Sequence, residues 1–564
     1  MKIRFRYSLK ELARRLIAIS VSQRKDIVWA TVGSIVGNVA RMTLMGCGAM
    51  FILCCMPEAK GSPPVWGILF GLSAVVIAGM RYLEGVQAHA AAYSLLAELR
   101  TKLFHQLRQL APACLVDRER GDIISIAVAD IETIEKFFAH TIGPMFTVIL
   151  LPVMTLVYAA TIRWQFALSL LPIYIIISVL VPLAAMKAGR ETGARYRKQL
   201  GGIKSLILES VYGLKDIQIF GVGKKRLDAV NEKSREINKT AHGLTMHKQV
   251  VNAVPQFFIY MSRLLIVFLT SWLSLSSTKE LSGVVVLSFI VSASFSSTQS
   301  LISVVTSLLE TFAAAERLFE IMDEEPAVTE AAEPVSAERV GDIVFNDVTF
   351  RYRENREDVL KNVSLTIRRG EKIGIVGPSG VGKSTVLRLL LRFWDPTSGE
   401  IRLSDTPLSC LSLHDLRDRV ALVEQHTFIY DDTAAANIAL GRPDASEEEI
   451  RTAARRAGID GLIRRLPEGY DTRLGEFGSY LSGGERQRIG IARVMVMDPD
   501  VIVMDEPTSS LDVFHEKVLL KTLEEEYADK TVIIVSHRRS TLTGCDRILQ
   551  LKDGKLSVYS DGGR

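Results

Sequence analysis

The sequence predicts a two-part chain in which a membrane domain of six helices precedes an α/β domain. Of its 564 residues, 48% are hydrophobic and 23% are charged. A uniformly soluble protein would not combine these values, whereas a membrane half joined to a charged soluble half would. Long apolar stretches fill the first half. Short apolar runs that alternate with amphipathic segments fill the second, which is typical of helices packed on a parallel sheet.

Six stretches are apolar enough to cross a bilayer, which takes about 20 residues. They are residues 26–56, 65–86, 137–162, 166–186, 250–273 and 281–305. Only a few residues around Arg163 and Trp164 separate the third stretch from the fourth, which predicts a tight hairpin. Lys and Arg are concentrated in the long connections 87–136 and 187–249. The positive-inside rule therefore predicts that both termini are cytosolic.

The long connections keep helical apolar spacing, so helices two to five are expected to continue into the cytosol. A short turn segment would join each pair, near residues 114–122 and 210–221. The N-terminal residues are basic and amphipathic without a cleavable signal pattern, which indicates a helix on the membrane surface. We expect this elbow helix at residues 1–24 and the membrane domain at residues 25–319. A linker rich in Glu, Ala and Pro follows at 320–342, and the α/β domain occupies residues 343–564.

Composition excludes some functions. The formal net charge of +5 is small for this length and argues against a nucleic-acid partner. The six cysteines show no spacing typical of metal ligands. Cys54 and Cys55 are adjacent inside an apolar run, where packing is a simpler explanation than redox chemistry.

One run in the α/β half predicts a phosphate-binding loop. GPSGVGKST fits the pattern G-x-x-x-x-G-K-[ST], directly after the apolar strand KIGIVG and before a helix. Its glycines let backbone N–H groups face phosphates, Lys383 neutralises charge, and Ser384 can ligate Mg²⁺. The predicted nucleotide-binding residues are Gly377, Pro378, Ser379, Gly380, Val381, Gly382, Lys383, Ser384 and Thr385.

Polar residues at the ends of other apolar runs complete a hydrolytic site. The strand VIVMDE ends in Asp505, which can hold Mg²⁺, and in Glu506, which can act as general base. His537 ends another strand and could contact the γ-phosphate, although such a histidine is often structural. Gln425 also follows an apolar run and could sense metal or nucleotide. Tyr352 could stack on adenine.

In this order and spacing, the motifs resemble those of the ATP-binding cassette transporters over almost the whole chain. Six spans and one cassette look like a half-transporter of the exporter-type (type IV) fold. By this resemblance, Tyr352 is the A-loop residue, residues 377–385 are the Walker A loop and Gln425 is the Q-loop residue. Asp505 and Glu506 form the Walker B motif, residues 509–512 form the D-loop, and His537 is the switch histidine. The resemblance implies ATP and Mg²⁺ as ligands. The implied catalytic residues are Glu506, His537, Lys383 and Gln425, and the implied Mg²⁺ ligands are Ser384, Gln425 and Asp505.

Two further features follow from the resemblance. Glu476 fits the X-loop of exporter-type cassettes, although Phe477 stands where the family usually has Arg. LSGGERQR is similar to the family's signature sequence, whose helix start offers N–H groups to a γ-phosphate held by the opposite cassette. The resemblance assigns this phosphate-binding role to Ser482, Gly483, Gly484 and Glu485. The chain should therefore work with a second half-transporter, and a heterodimer is favoured over a homodimer.

Arginines inside the spans suggest the substrate class. Arg41 and Arg263 lie at similar depth, about 20 Å from the cytosolic side at 1.5 Å per residue. Arg81 lies nearer the cytosol, with Glu84 at i+3, so an internal ion pair is its alternative role. Buried charges in a membrane are functional by default. The three arginines therefore predict a pathway for a small anionic substrate.

The run RYLEGVQAHAA at 81–91 narrows the resemblance. It is similar to a segment of the transporter of cytochrome bd assembly, which is linked to thiols and haem. It is also similar to the siderophore-importing branch with the same exporter fold. Gly85 stands where the cytochrome bd assembly transporter has a second arginine. We expect transport of a thiol, haem or related compound across the bacterial cytoplasmic membrane by alternating access. Import of a ferric siderophore and export of a lipid or drug are the alternatives.

Overall fold

The computed structural model describes most of the chain, namely residues 7–56, 62–113, 118, 120–273, 277–336, 340–353, 357–475, 478–509, 511–525 and 527–559. The expected X-loop residues Glu476 and Phe477 lie outside this set. The chain divides into two compact units. The first comprises residues 1–108 and 118–324, and the second comprises residues 109–117 and 325–564.

The first unit is built of helices. They are α1 (Leu9–Ser20), α2 (Arg24–Cys54), α3 (Pro63–Leu110), α4 (Arg120–Ser125), α5 (Ile131–Ile162), α6 (Trp164–Ile175), α7 (Val181–Tyr212), α8 (Leu214–Ile219), α9 (Gly223–Trp272) and α10 (Thr278–Met322). Five described stretches are long and apolar enough to cross a membrane, at Leu9–Cys54, Pro63–Leu110, Gly121–Ile162, Trp164–Ala184 and Gly223–Trp272. The sixth predicted span falls in α10, whose described side chains supply the shorter apolar stretch Glu280–Phe295.

The helices continue beyond the apolar spans, as the sequence predicted. Helices α3 and α9 contain 48 and 50 residues. At 1.5 Å per residue they are about 70–75 Å long, more than twice the thickness of the hydrocarbon layer. The second predicted turn segment forms the short helix α8 between α7 and α9. The first predicted turn segment is described only in part.

The predicted hairpin between the third and fourth spans is very tight. Arg163 alone separates α5 from α6, and its backbone is extended, with φ −156° and ψ 135°. Its guanidinium binds the Glu280 carboxylate at the start of α10, with an Nη2–Oε1 distance of 2.8 Å. The turn is therefore tied to a neighbouring helix by an ion pair.

Two π-helical segments, Ile126–Asp130 and Ile176–Leu180, interrupt the third and fourth spanning helices. Each inserts a wider turn and shifts the side chains that follow it around the helix axis. At the end of the first segment, Asp130 is buried and pairs with Arg317 of α10. Apolar spacing did not predict either segment.

The second unit is an α/β structure with two sheets. Its strands are β1 (Ile343–Phe350), β2 (Leu360–Ile367), β3 (Lys372–Val376), β4 (Ser398–Leu403), β5 (Thr406–Pro407), β6 (Val420–Val423), β7 (Val501–Asp505), β8 (Thr531–Val535), β9 (Arg547–Lys552) and β10 (Lys555–Val558). Its helices are α11 (Lys383–Leu390), α12 (Leu413–Arg419), α13 (Ala434–Ala439), α14 (Glu447–Arg456), α15 (Asp460–Ile463), α16 (Gly483–Met497) and α17 (Val513–Glu525).

Strand order places the predicted motifs at one edge. The smaller sheet is antiparallel in the order β2-β1-β4-β5, and the larger sheet has the order β10-β9-β3-β8-β7-β6. In the larger sheet, β9, β3, β8, β7 and β6 are parallel. The three strands predicted from KIGIVG, VIVMDE and TVIIVS are therefore the neighbours β3, β7 and β8. Because parallel strands end at the same edge, the residues that follow them lie close together.

A buried amide holds the segment between β6 and α13. Asn437 in α13 is 0% exposed. Its Nδ2 donates to the Tyr430 carbonyl, and its Oδ1 accepts from the Tyr430 N–H, both at 3.0 Å. Arg493 of α16 donates to Asn437 Oδ1 at 2.9 Å and to the Phe428 carbonyl at 2.7 Å. These contacts attach the segment after Gln425 to α16. Burial lowers the pKa of the Arg493 guanidinium, and the oxygens around it offset that desolvation.

We expect Asn437→Ala to destabilise the second unit, because it leaves the Tyr430 N–H and part of the Arg493 guanidinium without the partner that the buried Asn437 amide provides. The free energy of unfolding should fall by about 2 kcal/mol, which corresponds to a melting temperature lower by about 4–8 °C. Thermal denaturation of the purified full-length protein measures the shift. Asn346→Ala is the control, since Asn346 is exposed and contacts Glu400 at 3.4 Å. Equal shifts in the two variants would contradict the prediction.

Candidate active site

The predicted phosphate-binding loop connects β3 to α11. Gly380 and Gly382 have φ angles of +79° and +110°, a backbone region that favours glycine. A Cβ atom on Gly377 would lie 2.6 Å from the main-chain oxygen of Leu551. The glycines are therefore required by the loop geometry, which leads directly into the N-terminus of α11.

Lys383 folds back over this loop. It is 7% exposed, and its Nζ donates to the carbonyls of Gly377 at 3.0 Å and Pro378 at 2.8 Å. A buried ammonium needs such partners. The ammonium thus lies against the loop whose N–H groups would face a phosphate, and Ser384 follows it in the first turn of α11.

Tyr352 lies beside the same helix. Its hydroxyl is 3.0 Å from the Thr385 hydroxyl and accepts from Arg388 Nη1 at 3.2 Å. Its ring packs edge-on against Trp394 and Phe350, with centroids 5.2 and 4.9 Å away. The structure thus places Tyr352 next to the phosphate loop, within an aromatic cluster. The role in adenine stacking stays a prediction.

Glu506 has an unusual backbone. It follows Asp505, the last residue of β7, and its φ of +48° lies in the left-handed region. A non-glycine residue adopts this region at an energetic cost. Two hydrogen bonds hold it there: its N–H donates to the Val535 carbonyl at 2.8 Å, and its carbonyl accepts from Gln487 Nε2 at 3.0 Å. Strand β8 and helix α16 thus fix the direction in which its side chain leaves the sheet.

The Glu506 carboxylate brings two predicted residues together. Gln425 Nε2 donates to Oε2 at 3.0 Å, and His537 Nδ1 lies 3.2 Å from Oε1. These three side chains follow β7, β6 and β8, which are parallel neighbours. The Glu506 side chain is 20% exposed and that of His537 is 58% exposed. The arrangement is a partly open carboxylate, held from two sides, that could accept a proton from water.

The signature residues begin α16. Ser482 is the N-cap, and it forms a capping box with Glu485: the Ser482 N–H donates to Glu485 Oε2 at 2.7 Å, and the Glu485 N–H donates to Ser482 Oγ at 3.4 Å. Gly483 and Gly484 are the first two helical residues. Among the hydrogen bonds described for Ser482–Glu485, none reaches the loop at 377–385. The structure therefore does not join these two predicted phosphate-binding elements.

The predicted D-loop, residues 509–512, directly precedes α17, and its Ser510 lies outside the described residues. Asp512 accepts from the His515 N–H at 2.9 Å, and its carboxylate also lies 2.8 Å from His515 Nδ1. The hydrogen bonds from His515 lower the pKa of Asp512. An ionised carboxylate at a helix start is favourable, because it faces the positive end of the helix dipole.

Sequence reasoning missed Gln487, which is 1% exposed and contacts the Glu506 backbone. A signal was available: Gln487 and the buried Ile491 are four residues apart in α16, so a polar side chain lies on the apolar face of the helix. A buried amide needs a partner. The identity of that partner depends on a contact between distant parts of the chain.

The arginines of the membrane helices differ in their partners. Arg81 Nη1 pairs with Glu84 Oε2 at 2.8 Å, as the alternative interpretation of this residue predicted, and its Nη2 lies 3.4 Å from Asn38 Oδ1. Arg263 is exposed; it donates to Ser292 Oγ at 3.0 Å and lies over the Tyr260 ring, 5.5 Å from the centroid. Arg41 is partly buried. These contacts leave the substrate-pathway role a prediction.

Comparisons with known proteins agree with this architecture. The family model of the ABC transporter transmembrane region matches residues 60–300, and the ABC transporter model matches residues 360–509. A probable ABC transporter ATP-binding/permease protein of Haemophilus influenzae is 38% identical over 498 residues, which are 87% of this chain and 89% of that protein. The glutathione/L-cysteine transport system ATP-binding/permease protein CydC of Escherichia coli is 29% identical, over 84% of this chain and 83% of that protein.

The fold matches a solved structure as well. A bacterial Atm1-family ABC exporter with ATP bound aligns with a TM-score of 0.82 at 24% identity, over 95% of this chain and 94% of that one. Spanning helices followed by a phosphate loop and a carboxylate in an α/β unit define a membrane ATPase. The family models match more than half of the chain, which therefore belongs to the ATP-binding cassette (ABC) transporters.

Several predictions are thereby confirmed. The chain is a multi-pass membrane protein whose ABC domain binds ATP and couples its hydrolysis to transport. The type IV exporter fold is confirmed by the solved neighbour. A half-transporter of this fold carries one membrane region and one ATP-binding domain, so it works as a dimer in a lipid bilayer.

Gly377→Ala should weaken ATP binding, because the added Cβ would overlap the Leu551 main-chain oxygen and displace the phosphate loop. We expect the Kd for ATP to rise by at least about tenfold, or about 1.4 kcal/mol of binding free energy. Binding of a fluorescent ATP analogue to the purified protein measures the change. Gly461→Ala is the matched control, since a Cβ there meets nothing within 4 Å. Unchanged affinity of Gly377→Ala would contradict the assignment of the loop.

Proposed function

We propose that this chain is one half of a transporter of the bacterial cytoplasmic membrane that moves a small anionic substrate by alternating access. Both termini and the ATP-binding domain are assigned to the cytosol, because the long connections that carry most of the Lys and Arg would face that side. One observation carries the hydrolytic part of the proposal. The Glu506 carboxylate lies between Gln425 and His537, at the sheet edge where the phosphate loop also begins.

Glu506 acts as general base in this proposal. It accepts a proton from a water molecule while the water oxygen bonds to the γ-phosphorus, and the bond from that phosphorus to the bridging oxygen of ADP breaks. Each carboxylate oxygen has two lone pairs, so Glu506 can accept from water while Gln425 and His537 keep it in place. In the same proposal His537 would contact the γ-phosphate, and Lys383 would neutralise negative charge at the phosphates.

The residues expected to hold Mg²⁺ fit a hard cation. Ser384, Gln425 and Asp505 offer a hydroxyl, an amide and a carboxylate, and oxygen atoms are the ligands that Mg²⁺ prefers. Because the Gln425 amide nitrogen donates to Glu506, its amide oxygen is the atom that could ligate the cation. When bound, Mg²⁺ would neutralise charge on the phosphates.

The signature residues complete the site of a second chain in this proposal. Ser482, Gly483 and Gly484 start a 15-residue helix, whose N–H groups and dipole favour an anion. The phosphate would come from an ATP bound to the partner's loop. We favour a related half-transporter as the partner, because the run at 81–91 resembles a branch of the family whose members the resemblance implies to be heterodimers.

Arg263 supports an anionic substrate. It lies nine residues before the end of α9 at Trp272, or about 14 Å by helical rise. An arginine at that depth is unfavourable against lipid, so it should face an aqueous pathway or another protein surface. Within the described part of the chain, its contacts are a hydroxyl and an aromatic ring. Its charge therefore remains uncompensated by a carboxylate there. The relative CydC is named for glutathione and L-cysteine, and both compounds carry carboxylates.

Glu506→Gln should abolish ATP turnover and preserve ATP binding, because the amide keeps the shape of the side chain and cannot accept the proton. We expect turnover to fall by about 10³-fold. Phosphate release from the reconstituted transporter and a separate ATP-binding measurement check the two parts. Glu447→Gln, at a carboxylate that is 89% exposed, is the control. Hydrolysis at the normal rate by Glu506→Gln would refute the assigned role.

Stimulation of ATP hydrolysis tests the substrate class. The reconstituted protein, with and without a co-expressed partner, is given glutathione, cysteine, haem, ferric siderophores, peptides or lipid A. We expect anionic thiols or haem to stimulate turnover, and Arg263→Gln to reduce the ratio of stimulated to basal turnover by about tenfold through the lost charge contact. Arg263→Lys should retain part of the response.

Arg235→Gln is the matched control for that experiment, because Arg235 is an exposed arginine of the same helix outside the apolar span. Stimulation by siderophores alone would favour the importer alternative, and stimulation by lipid A would favour a lipid exporter. An equal loss of response in the Arg235 and Arg263 variants would refute a specific role for Arg263.

A further inference from the structure

A buried carboxylate lies next to the candidate active site without belonging to any predicted motif. Glu516 in α17 is 6% exposed. Its Oε1 accepts from the Ser540 hydroxyl at 2.8 Å and from the Thr541 hydroxyl at 3.0 Å. Its Oε2 lies 3.7 Å from Arg538 Nη1. A carboxylate in this environment is stable only while such partners compensate its charge. All three partners belong to the segment that directly follows His537.

The same partners also reach the segment that follows Glu506. Arg538 Nη1 donates to the Thr508 carbonyl at 3.0 Å, and Nη2 donates to the Ser509 carbonyl at 3.4 Å. The hydroxyls of Thr541 and Thr508 are 2.8 Å apart, and both residues are 1% exposed. Glu516 is therefore the acceptor at the centre of a polar network, which connects residues 508–509 to residues 538–541.

The imidazole of His537 depends on its backbone for position. Its side chain is 58% exposed, so packing constrains it little. Ladder hydrogen bonds of the sheet end at Ser536, whose N–H donates to the Ile375 carbonyl at 3.3 Å. Beyond that residue, the Arg538 N–H donates to Ser536 Oγ at 3.0 Å, and the contacts of Arg538, Ser540 and Thr541 with Glu516 attach the following segment to α17. Small displacements there would change the 3.2 Å contact between His537 and Glu506.

We infer that Glu516 is a positioning residue for ATP hydrolysis, and that it holds His537 at the distance and angle at which the imidazole contacts Glu506. This inference rests on the role proposed above for His537. It assigns Glu516 no contact with nucleotide: the carboxylate acts through the segment 538–541. Loss of its charge should slow the chemical step and leave ATP affinity nearly unchanged.

The test introduces Glu516→Gln into the wild-type protein and into the His537→Gln variant. Both are studied as the full-length transporter reconstituted in lipid. The glutamine keeps one acceptor oxygen, but its NH₂ group would face the Arg538 guanidinium, so donor would meet donor. We expect kcat for ATP to fall by about tenfold and KM to change by less than about twofold. In a His537→Gln background, the same substitution should change kcat by less than about twofold, because the interaction that it disturbs is already gone.

Controls separate this role from a general structural one. Glu524→Gln changes an exposed carboxylate of the same helix and should leave kcat unchanged, and Glu506→Gln supplies the blank rate. An equal fall of kcat in both backgrounds would overturn the inference and leave the role of His537 intact. A parallel rise in KM with a lower melting temperature would also overturn it. Normal turnover of His537→Gln would refute the proposed role of His537 and the inference together.

A milder variant keeps the inference testable where Glu516→Gln fails to fold. Ser540→Ala removes one donor from an exposed position and retains the carboxylate. We expect kcat to fall by about threefold, as for the loss of one modest hydrogen bond, and the effect should again disappear in the His537→Gln background. Persistence of the effect in that background would overturn the inference.

Discussion

The parallel pairing of β8 with β3 on one side and β7 on the other is the constraint on which the site depends. Val535, the last residue of β8, is paired with Ile375 and with Asp505. The phosphate loop, Glu506 and His537 therefore leave the sheet at the same level. A register slip of one residue would turn each of these side chains to the opposite face. The Val535 carbonyl also accepts from the Glu506 N–H, so the strand that sets the register also holds the left-handed backbone of Glu506, the proposed general base.

The sequence predicted the local features of this site well, because each is encoded by neighbouring residues. Apolar runs of five residues became β3, β7 and β8, and glycines marked the phosphate loop. The contacts that orient Glu506 could not be predicted in this way. Gln425, Gln487 and His537 approach it from other strands and helices, and no periodicity within a segment specifies such partners. The same limit applies to the antiparallel sheet β2-β1-β4-β5. There β1 pairs with β2, which precedes β3 in the chain, and with β4, which follows β3.

The membrane helices show the same division between local and distant information. Apolar length predicted six spans; five of them fall in described stretches long enough to cross a membrane, and the sixth falls in α10. The ion pair of Arg81 with Glu84 follows from their i+3 spacing on one helix. The binding of Arg163 to Glu280 and of Arg263 to Ser292 joins residues that are far apart in the chain. Both π-helical segments lie against α10, a contact between distant parts of the chain that apolar spacing does not indicate. Charge inside a span shows that a residue needs a partner, whereas only the fold selects that partner.

The geometry of the signature residues bears on assembly. Their capping box uses the Glu485 carboxylate to satisfy the Ser482 N–H, and the Ser482 hydroxyl in turn accepts from the Glu485 N–H. The N–H groups of Gly483 and Gly484 stand at the positive end of a 15-residue helix. An anion at that end would be stabilised, yet the described hydrogen bonds of these residues do not include the phosphate loop of the same chain. In the proposed function, the phosphate loop of one half-transporter and the signature sequence of another together complete each ATP site. A single chain should therefore hydrolyse ATP poorly, and the rate of hydrolysis per chain should rise as the fraction of chains in dimers increases.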